Sequence, residues 1–199
     1  MSKKAFFDRI SHDWDEEHST PEEERRTREF TRHFDLKPGE RVLDVGCGTG
    51  RLIPFLKEYI GQEGILVAMD FSKEMLDIGR EKHRFKRLYF FQGDAHHLAL
   101  KDHSFTTVIC MALFPHLSDK AGALKEFRRL LIPGGTLFIT HQMSRQELNR
   151  FHKEVKGPVT RDLLPDEAEM RQFFAVAGYK NLSIRDEPSL YIARATVRG

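Results

Sequence analysis

Short apolar runs alternate with amphipathic segments along most of the chain. Short runs rich in β-branched and aromatic residues are typical of buried strands, whereas apolar residues at i, i+4 and i+8 are typical of helices. The runs that precede the C-terminal third lie at 42–44, 65–70, 88–92, 106–112 and 136–141. The pattern predicts an α/β fold in which a mainly parallel sheet carries helices on its faces.

Two amphipathic helices are predicted in residues 1–36, ahead of the first strand. The first has an apolar stripe formed by Phe6, Ile10 and Trp14. The second begins at Thr20, which with Glu23 has the spacing of a capping box, and it places Phe30 and Phe34 on one face. We expect these helices either to cover a ligand pocket as a lid or simply to cover the sheet.

The C-terminal third contains two further helices and two strands. Ser144 and Glu147 form a capping-box pattern ahead of one helix, and Asp166 and Glu169 do so ahead of the next, which Gly178 would close. Two last strands are predicted at 182–185 and 190–197 as a hairpin. In the helix before the fifth strand, Ser118 is expected at the start and Pro133 is expected to stop it.

The first strand leads into a turn with glycines at alternate positions, in the sequence VLDVGCGTG. Gly46, Gly48 and Gly50 allow positive φ angles and let a ligand approach the bare backbone, beside the N–H groups of the helix that follows. The dinucleotide pattern G-x-G-x-x-G is excluded because Arg51 stands where it needs glycine, and a phosphate loop would need Gly-Lys-Ser/Thr.

An acidic residue ends the next strand, as is typical of folds that bind nucleotide-like ligands. Asp70 lies 20 residues beyond Gly50, where a carboxylate is placed to accept hydrogen bonds from ribose hydroxyls. Phe71 beside it could pack on an adenine ring.

Four motifs resemble those of the class I S-adenosyl-L-methionine (SAM) dependent methyltransferases. Asp44 and the three glycines match the acidic-x-G-x-G-x-G motif, and VAMD, QGDA and LLIPGGTLFIT follow in the family's order. The nearest resemblance is to the broad group that includes the ubiquinone and menaquinone biosynthesis methyltransferases. The chain departs from the family at Phe105-Thr106, where the usual dipeptide is Phe-Asp.

The resemblance implies a Rossmann-like methyltransferase fold: a mostly parallel seven-stranded sheet with an antiparallel last strand and helices on both faces. It also implies SAM as cofactor and S-adenosyl-L-homocysteine as product. Asp44 would compensate the ammonium of the methionine end, and Asp94 would bind the adenine amino group. The remaining expected cofactor contacts are the glycines of the turn with Cys47, Asp70, Phe71, Ala95 and Met111.

Methyl transfer from a sulfonium requires alignment, and a base where the acceptor carries a proton. Three histidines follow strands or lie on the inserted helix: His116, His141 and His152. Each alone is more often a structural histidine, but as a set they could supply a base, an acceptor anchor or a metal ligand. His116 is the first choice for base or anchor, because the loop after the fourth strand faces the methyl group in this fold.

Small molecules are the favoured acceptors, through an O, C or N nucleophile. LFPHL stands where methyltransferases that act on nucleic-acid amino groups have the motif Asn/Asp-Pro-Pro-aromatic. The basic segment 82–87 is interpreted as the solvated end of a helix in preference to an RNA-binding surface. A metal is not expected, because Met111 to Leu113 lacks the acid that metal-dependent catechol methyltransferases have there. A metal site would otherwise be conceivable if His12 or His18 joined the three histidines. An RNA methyltransferase and a non-catalytic SAM-binding regulator are the alternatives.

Composition changes this interpretation little. The net charge of +2 is too small to imply a polyanionic partner, and no apolar run approaches the roughly 20 residues of a membrane span. Cys47 and Cys110 are expected to be small buried residues. The N-terminus turns acidic too soon for a signal peptide, so we expect a cytoplasmic protein. A monomer or a homodimer is expected. We expect one domain, divided into a helical lid (1–36), a SAM-binding core (37–141), a substrate-side insertion (142–165) and a final helix and hairpin (166–199).

Overall fold

A seven-stranded sheet forms the centre of the computed structural model, which describes residues 5–9, 20–155 and 157–199. Its strands are β1 (Arg41–Val45), β2 (Ile65–Asp70), β3 (Leu88–Gln92), β4 (Phe105–Met111), β5 (Leu131–His141), β6 (Lys180–Glu187) and β7 (Leu190–Thr196). The strand order is β3-β2-β1-β4-β5-β7-β6, and β7 runs antiparallel to both of its neighbours. The predicted mostly parallel sheet with an antiparallel last strand is confirmed.

Helices pack on both faces of this sheet. They are α1 (Pro21–Thr31), α2 (Ile53–Ile60), α3 (Lys73–Lys82), α4 (Lys120–Leu130), α5 (Arg145–Glu154) and α6 (Glu167–Val176), and residues 5–9 are helical as well. Single 3-10 turns cover Arg32–Phe34 and Phe114–His116. Within the described ranges, no helix is both long and apolar enough to cross a bilayer.

Alternate residues of the strands supply two hydrophobic cores, one on each face. On β1, Val42 joins the core formed with α1, α2 and α3, whereas Leu43 and Val45 join the core formed with α4 and α6. All three side chains are fully buried. Because both faces of the strands are buried, their sequences are continuous apolar runs and do not alternate between apolar and polar residues.

The start of α1 differs in one respect from the predicted capping box. Thr20 Oγ1 accepts the Glu23 N–H at 3.2 Å, as expected. The Glu23 carboxylate instead binds Arg26 and Arg51. Phe30 and Phe34 are buried and contact each other with ring centroids 5.8 Å apart, as predicted. Ile10, Trp14, His12 and His18 lie outside the described residues.

The predicted boundaries of α4 are wrong at both ends. Asp119 rather than Ser118 caps the helix, through its carboxylate and the Gly122 N–H at 2.8 Å. The helix ends before Pro133, because Leu131 is already extended and pairs with Phe105 of β4. The Pro-Gly-Gly segment therefore lies within β5, where the register with β4 shifts.

The C-terminal helices begin as predicted, whereas β6 is longer than predicted and β7 ends one residue earlier. Ser144 with Glu147 and Asp166 with Glu169 both form reciprocal capping boxes. In β6 the pairing with β7 extends from Lys180 to Glu187, well beyond the apolar residues that marked the strand. Strand pairing continues there because the backbone makes the ladder irrespective of side-chain polarity.

Candidate functional site

The predicted site residues lie at the carboxyl ends of the parallel strands. The chain proceeds from β1 through β2 to β3 on one side and returns to β4 and β5 on the other, so the connections diverge between β1 and β4. A crevice forms outside the strands at such a point, because the loops on either side turn away from each other. The glycine turn leaves β1 at this place.

The glycine turn after β1 is held against β2. The N–H groups of Gly46 and Cys47 both donate to the Met69 carbonyl, at 2.8 and 2.9 Å. Gly46, Gly48 and Gly50 have φ angles of 76°, 56° and 91°, in the left-handed region that favours glycine. A Cβ on Gly46 would also lie 2.9 Å from the Leu113 side chain. The turn thus requires glycine both for its conformation and for close packing.

Asp44 is a buried carboxylate with an unsatisfied oxygen. Its side chain is 1% exposed, and Oδ2 has no hydrogen-bond partner within the described chain. Burial and, to a lesser degree, the negative charge of Asp70 raise the pKa of Asp44 to about 7. A buried carboxylate of this kind is stabilised by a neighbouring cation. The site therefore favours a ligand with a positive group near Asp44.

Asp70 braces the glycine turn, and it is absent from the lining of the two cavities described below. One carboxylate oxygen accepts the Gly48 N–H and the other accepts the Ser72 N–H, both at 2.9 Å. Burial raises the pKa of Asp70, although these backbone donors act in the opposite direction. Each carboxylate oxygen retains a second lone pair, so hydroxyl donors of a ligand could be accepted as well.

A smaller cavity of about 220 Å3 extends from the glycine turn past β2. It is lined by Phe7, Gly46, Met69, Phe71, Gly93, Asp94, Ala95, His96, Leu113, His116 and Leu117. Asp94 is largely exposed, and it accepts hydrogen bonds from the His96 N–H at 2.9 Å and from the His96 ring at 2.6 Å. The backbone bond is the main reason that the pKa of Asp94 is lowered. The cavity brings together Phe71, Asp94 and Ala95, three of the residues that were expected to contact the cofactor.

A larger cavity of about 530 Å3 adjoins the first, and Phe7 and His116 line both. Its walls are mainly apolar and consist of Phe6, Phe7, Met111, Ala112, Met143, Leu148, Phe151, Val155 and Val159. Its polar lining consists of Glu23, Arg26, Arg51, Gln142 and the three predicted histidines. Ala112 follows the end of β4 and has a φ of 56°. The hydrogen bond from its N–H to the Thr140 carbonyl stabilises this conformation.

Arg51 anchors α1 to the glycine turn, a role that the sequence did not indicate. Its guanidinium donates to Glu23 Oε2 at 2.8 Å and to Thr27 Oγ1 at 2.8 Å, and it also donates to the Gln142 side chain. Arg26 donates to the same Glu23 carboxylate at 2.8 Å. Desolvation lowers the pKa of Arg51, and the Glu23 charge opposes this effect. In the sequence Arg51 was notable only because it excluded the dinucleotide pattern.

His116, His141 and His152 meet on one side of the larger cavity. The ring centroids of His116 and His152 are 5.0 Å apart. Burial, reinforced by the positive charge that His116 and His152 can carry, lowers the pKa of His141 to about 3. His141 is therefore neutral at physiological pH. Of the residues that the structure describes, no group of three or more histidine, cysteine and acidic side chains is arranged to hold a metal ion.

Asp162 contacts two of the predicted histidines, and sequence analysis did not single it out. Its carboxylate lies 2.8 Å from Nδ1 of His116, and both side chains are only 11% exposed. Its backbone carbonyl is bonded to Nδ1 of His152. Asp162 thus orients two of the three histidines. It lies in the predicted substrate-side insertion, 46 residues from His116, and no periodicity marks it there.

The remaining predicted residues are divided between the site and the core. Met111 lines the larger cavity, whereas Cys47 is buried in the turn, and burial raises the pKa of its thiol. Cys110 is fully buried in β4. The basic segment 82–87 lines neither of the two cavities, and Phe85 within it is exposed.

Comparison with known proteins agrees with this geometry. Residues 43–139 match the family described as "Methyltransferase domain". Demethylmenaquinone methyltransferase of Bacillus cereus is 33% identical over 135 residues, which cover 65% of this chain and 57% of that relative. Demethylmenaquinone methyltransferase of Staphylococcus haemolyticus is 30% identical over 174 residues, which cover 75% of this chain and 72% of that relative.

Solved methyltransferase structures share the fold. A SAM-dependent methyltransferase from Aquifex aeolicus has a TM-score of 0.71 at 24% identity, over 86% of this chain and 89% of that chain. A Haloferax volcanii putative methyltransferase, solved with the Trm112 activator, has a TM-score of 0.75 at 20% identity, over 97% and 98% of the two chains. The chain belongs to the class I SAM-dependent methyltransferases, in the group that includes the demethylmenaquinone methyltransferases.

Proposed function

We propose that this protein transfers the methyl group of SAM to a small-molecule acceptor in the larger cavity, with His116 removing the acceptor's proton. The observation that carries this proposal is the His116–Asp162 pair, because His116 lines a mainly apolar cavity and Asp162 holds its ring from behind. A base held in this way is required only where the acceptor carries a proton.

The residues around the glycine turn fit SAM. The orphaned Oδ2 of Asp44 suits the ammonium of the methionine end, and Asp70 suits the ribose hydroxyls. Phe71 and Asp94 line the cavity in which the adenine would lie. When bound, SAM supplies a methyl carbon that its sulfonium already activates. The protein's own contribution is therefore to align the acceptor and to accept a proton.

Asp162 prepares His116 for the role of base. A carboxylate only accepts hydrogen bonds, so Nδ1 of His116 carries the proton and Nε2 carries the lone pair. Once Nε2 has taken a proton, the Asp162 charge stabilises the imidazolium. Both groups are only 11% exposed, and the Phe7 ring lies 5.4 Å from the His116 ring. This shielding strengthens the interaction between the two charges.

A small acceptor agrees with the shape of the site and with the relatives. The larger cavity, at about 530 Å3, is within the range of small-molecule sites, and its walls are mainly apolar. The two relatives compared above are named for demethylmenaquinone, a small molecule. By contrast, the basic segment 82–87 lines neither cavity, so an RNA acceptor has less support.

The proposal is tested by separating cofactor binding from turnover. His116→Gln should lower kcat by about 100-fold or more, as expected for loss of a general base, while SAM affinity measured by calorimetry stays close to that of the wild type. Turnover is followed as release of S-adenosyl-L-homocysteine across a panel of phenols, enols and amines.

The matched control is His33→Gln, which changes an exposed histidine that lines neither cavity. It should leave both quantities unchanged. If His116→Gln turns over at the wild-type rate, His116 is not the base. Retained SAM binding without turnover on any acceptor would favour the non-catalytic alternative.

A further inference from the structure

His96 directly follows the QGDA motif and lines the smaller cavity. It belongs to none of the four motifs that the chain shares with the methyltransferases. Its imidazole lies between the Asp94 carboxylate on one side and Asp119, at the start of α4, on the other. Both ring nitrogens are therefore engaged, although the side chain is still 27% exposed. A ring that is held at both nitrogens has a fixed orientation.

The two contacts of the His96 ring determine where its proton lies. The Asp119 N–H donates to Nε2 at 3.3 Å. A backbone N–H only donates, so Nε2 carries the lone pair, and in the neutral ring Nδ1 carries the proton. Nδ1 therefore donates to Oδ1 of Asp94, at 2.6 Å. The ring thus connects the Asp94 carboxylate to the start of α4.

Two donors from His96 converge on one oxygen of Asp94. The His96 backbone N–H donates to Oδ1 at 2.9 Å, in addition to the bond from the ring. Together they fix the plane of the carboxylate, whereas a single donor would leave it free to rotate. Within the described residues, Oδ2 accepts no hydrogen bond. Because Asp94 lines the smaller cavity and its side chain is 72% exposed, Oδ2 remains available to a ligand.

We propose that His96 is a positioning residue for the cofactor: by holding Asp94, it makes the site select the exocyclic amino group of adenine over a carbonyl at the same place. The amino group donates to Oδ2, whereas a carbonyl would bring a second acceptor against the carboxylate. Without His96, Asp94 would have to be ordered when the ligand binds, which weakens the interaction. This role rests on the proposed function, which places the adenine in the smaller cavity beside Asp94.

The test compares S-adenosyl-L-homocysteine with its deaminated analogue, S-inosyl-L-homocysteine. Both affinities are measured by calorimetry, so the result is independent of turnover. The wild type should prefer the adenosyl compound by about tenfold or more, the effect of one hydrogen bond to a charged acceptor. His96→Ala should reduce this preference by about three- to tenfold, through weaker binding of the adenosyl compound. The other differences between the two purine rings are common to all variants.

His97→Ala is the matched control on the neighbouring residue. His97 is exposed and lines neither cavity, and its side chain acts on Asp94 through charge alone. The variant should keep the wild-type preference. A preference in His96→Ala equal to that of the wild type, or an equal loss in His97→Ala, would overturn the positioning role.

Two amide variants distinguish positioning of Asp94 from a merely structural role. The amide nitrogen of His96→Asn lies near the place of Nδ1 and retains the donor to Asp94, so most of the preference should remain. His96→Gln reaches the place of Nε2, so it retains the contact with Asp119 and should lose the preference. Equal preferences in the two amide variants, or a greater one in His96→Gln, would contradict the proposal.

Asp94→Ala separates the failure of this inference from the failure of the proposed function. If Asp94→Ala loses the preference and His96→Ala retains it, the adenine lies beside Asp94 and His96 does not position it. If both variants retain the preference, or the wild type has none, the placement of the adenine fails together with the role of His96. Loss of the preference in both variants, with no methyl transfer to any acceptor, supports the inference and counts against the proposed function.

Discussion

Asp44 is the single residue whose protonation should control cofactor binding. Its pKa is raised to about 7 by burial and by Asp70, so below that pH the carboxyl is largely neutral. A neutral carboxyl cannot compensate the ammonium of SAM. SAM affinity should therefore rise with pH, by about 15-fold between roughly pH 5.5 and 7, because the ionised fraction of Asp44 increases by that factor over this range. Calorimetry in buffers of different ionisation enthalpy should show proton release on binding.

Asp44→Asn is the control for this pH dependence. The variant should bind SAM more weakly and lack the increase with pH, because the amide does not titrate. An unchanged pH dependence in Asp44→Asn would assign the effect to another group, such as one of the cavity histidines.

Asp70 and Asp94 provide a matched contrast between two acids of the cofactor site. Asp70 is 6% exposed and accepts two backbone N–H groups, whereas the Asp94 side chain is 72% exposed. Asp70→Ala should weaken SAM binding by more than about tenfold and also destabilise the ligand-free protein by about 1 to 3 kcal/mol, because buried donors lose their acceptor. Asp94→Ala should weaken binding and leave the melting temperature without ligand nearly unchanged.

Calorimetry with SAM and thermal unfolding without it measure the two effects. Equal losses of ligand-free stability in Asp70→Ala and Asp94→Ala would contradict the bracing role of Asp70.

The site residues that the sequence predicted are those defined by local spacing. Asp44 and the glycines belong to one turn, and Asp70 ends the next strand, so each was recognisable within a short window. Asp162 and the Arg51–Glu23 pair were not, because they join residues 46 and 28 positions apart through tertiary packing. The spacing of residues along the sequence does not indicate such long-range pairs. The lowered pKa of His141 likewise depends on burial, which only the fold determines.

At the scale of elements, α1 is connected to the glycine turn through Arg51, which forms an ion pair with Glu23 and hydrogen bonds with Thr27. Arg51 and Glu23 have side chains 21% and 23% exposed, so breaking the pair should cost about 1 to 2 kcal/mol, between the values for exposed and buried pairs. In Glu23→Gln we expect faster amide hydrogen exchange in Pro21–Thr31 and weaker SAM binding, since Arg51 follows directly after the glycine turn.

Glu22→Gln is the matched control on the same helix turn. Glu22 pairs with Arg25 on the surface, and its side chain is 64% exposed. It should alter neither the exchange rate nor the affinity by a measurable amount, because exposed ion pairs contribute little. If both variants behave alike, the Arg51 cluster does not couple α1 to the site.

The existence and type of the elements were predictable, but several of their boundaries were not. Apolar periodicity determined that β1 to β5 are strands and that the segments containing α2, α3 and α4 are helical. The end of α4 was wrong because pairing of Leu131 with Phe105 extends β5 ahead of Pro133. The start was wrong because Asp119, rather than its neighbour Ser118, accepts the Gly122 N–H. Tertiary hydrogen bonding decided both ends, whereas local residue preference was the only information in the sequence.

At the scale of the whole molecule, the two cavities share part of their lining, because Phe7 of the N-terminal segment and His116 border both. The Phe7 ring lies 6.0 Å from the Phe71 ring on the adenine side and 5.4 Å from the His116 ring on the acceptor side. Asp8 accepts a hydrogen bond from the Ser72 hydroxyl at 2.7 Å, which fixes the segment to the start of α3. We therefore propose that this segment, which the structure describes at residues 5–9, acts as a lid over the site.

Phe7→Ala should accordingly affect both substrates while leaving the core intact. Each ring contact contributes about 0.5 to 1.5 kcal/mol, so we expect kcat/KM for the acceptor and the affinity for SAM each to fall by about three- to tenfold. Phe7 belongs to neither hydrophobic core, so the melting temperature without ligand should change little. Phe85→Ala, which removes an exposed ring that lines neither cavity, is the control. A loss of acceptor turnover with unchanged SAM affinity would show that the segment covers only the acceptor, because contact with Phe71 would then make no contribution to cofactor binding.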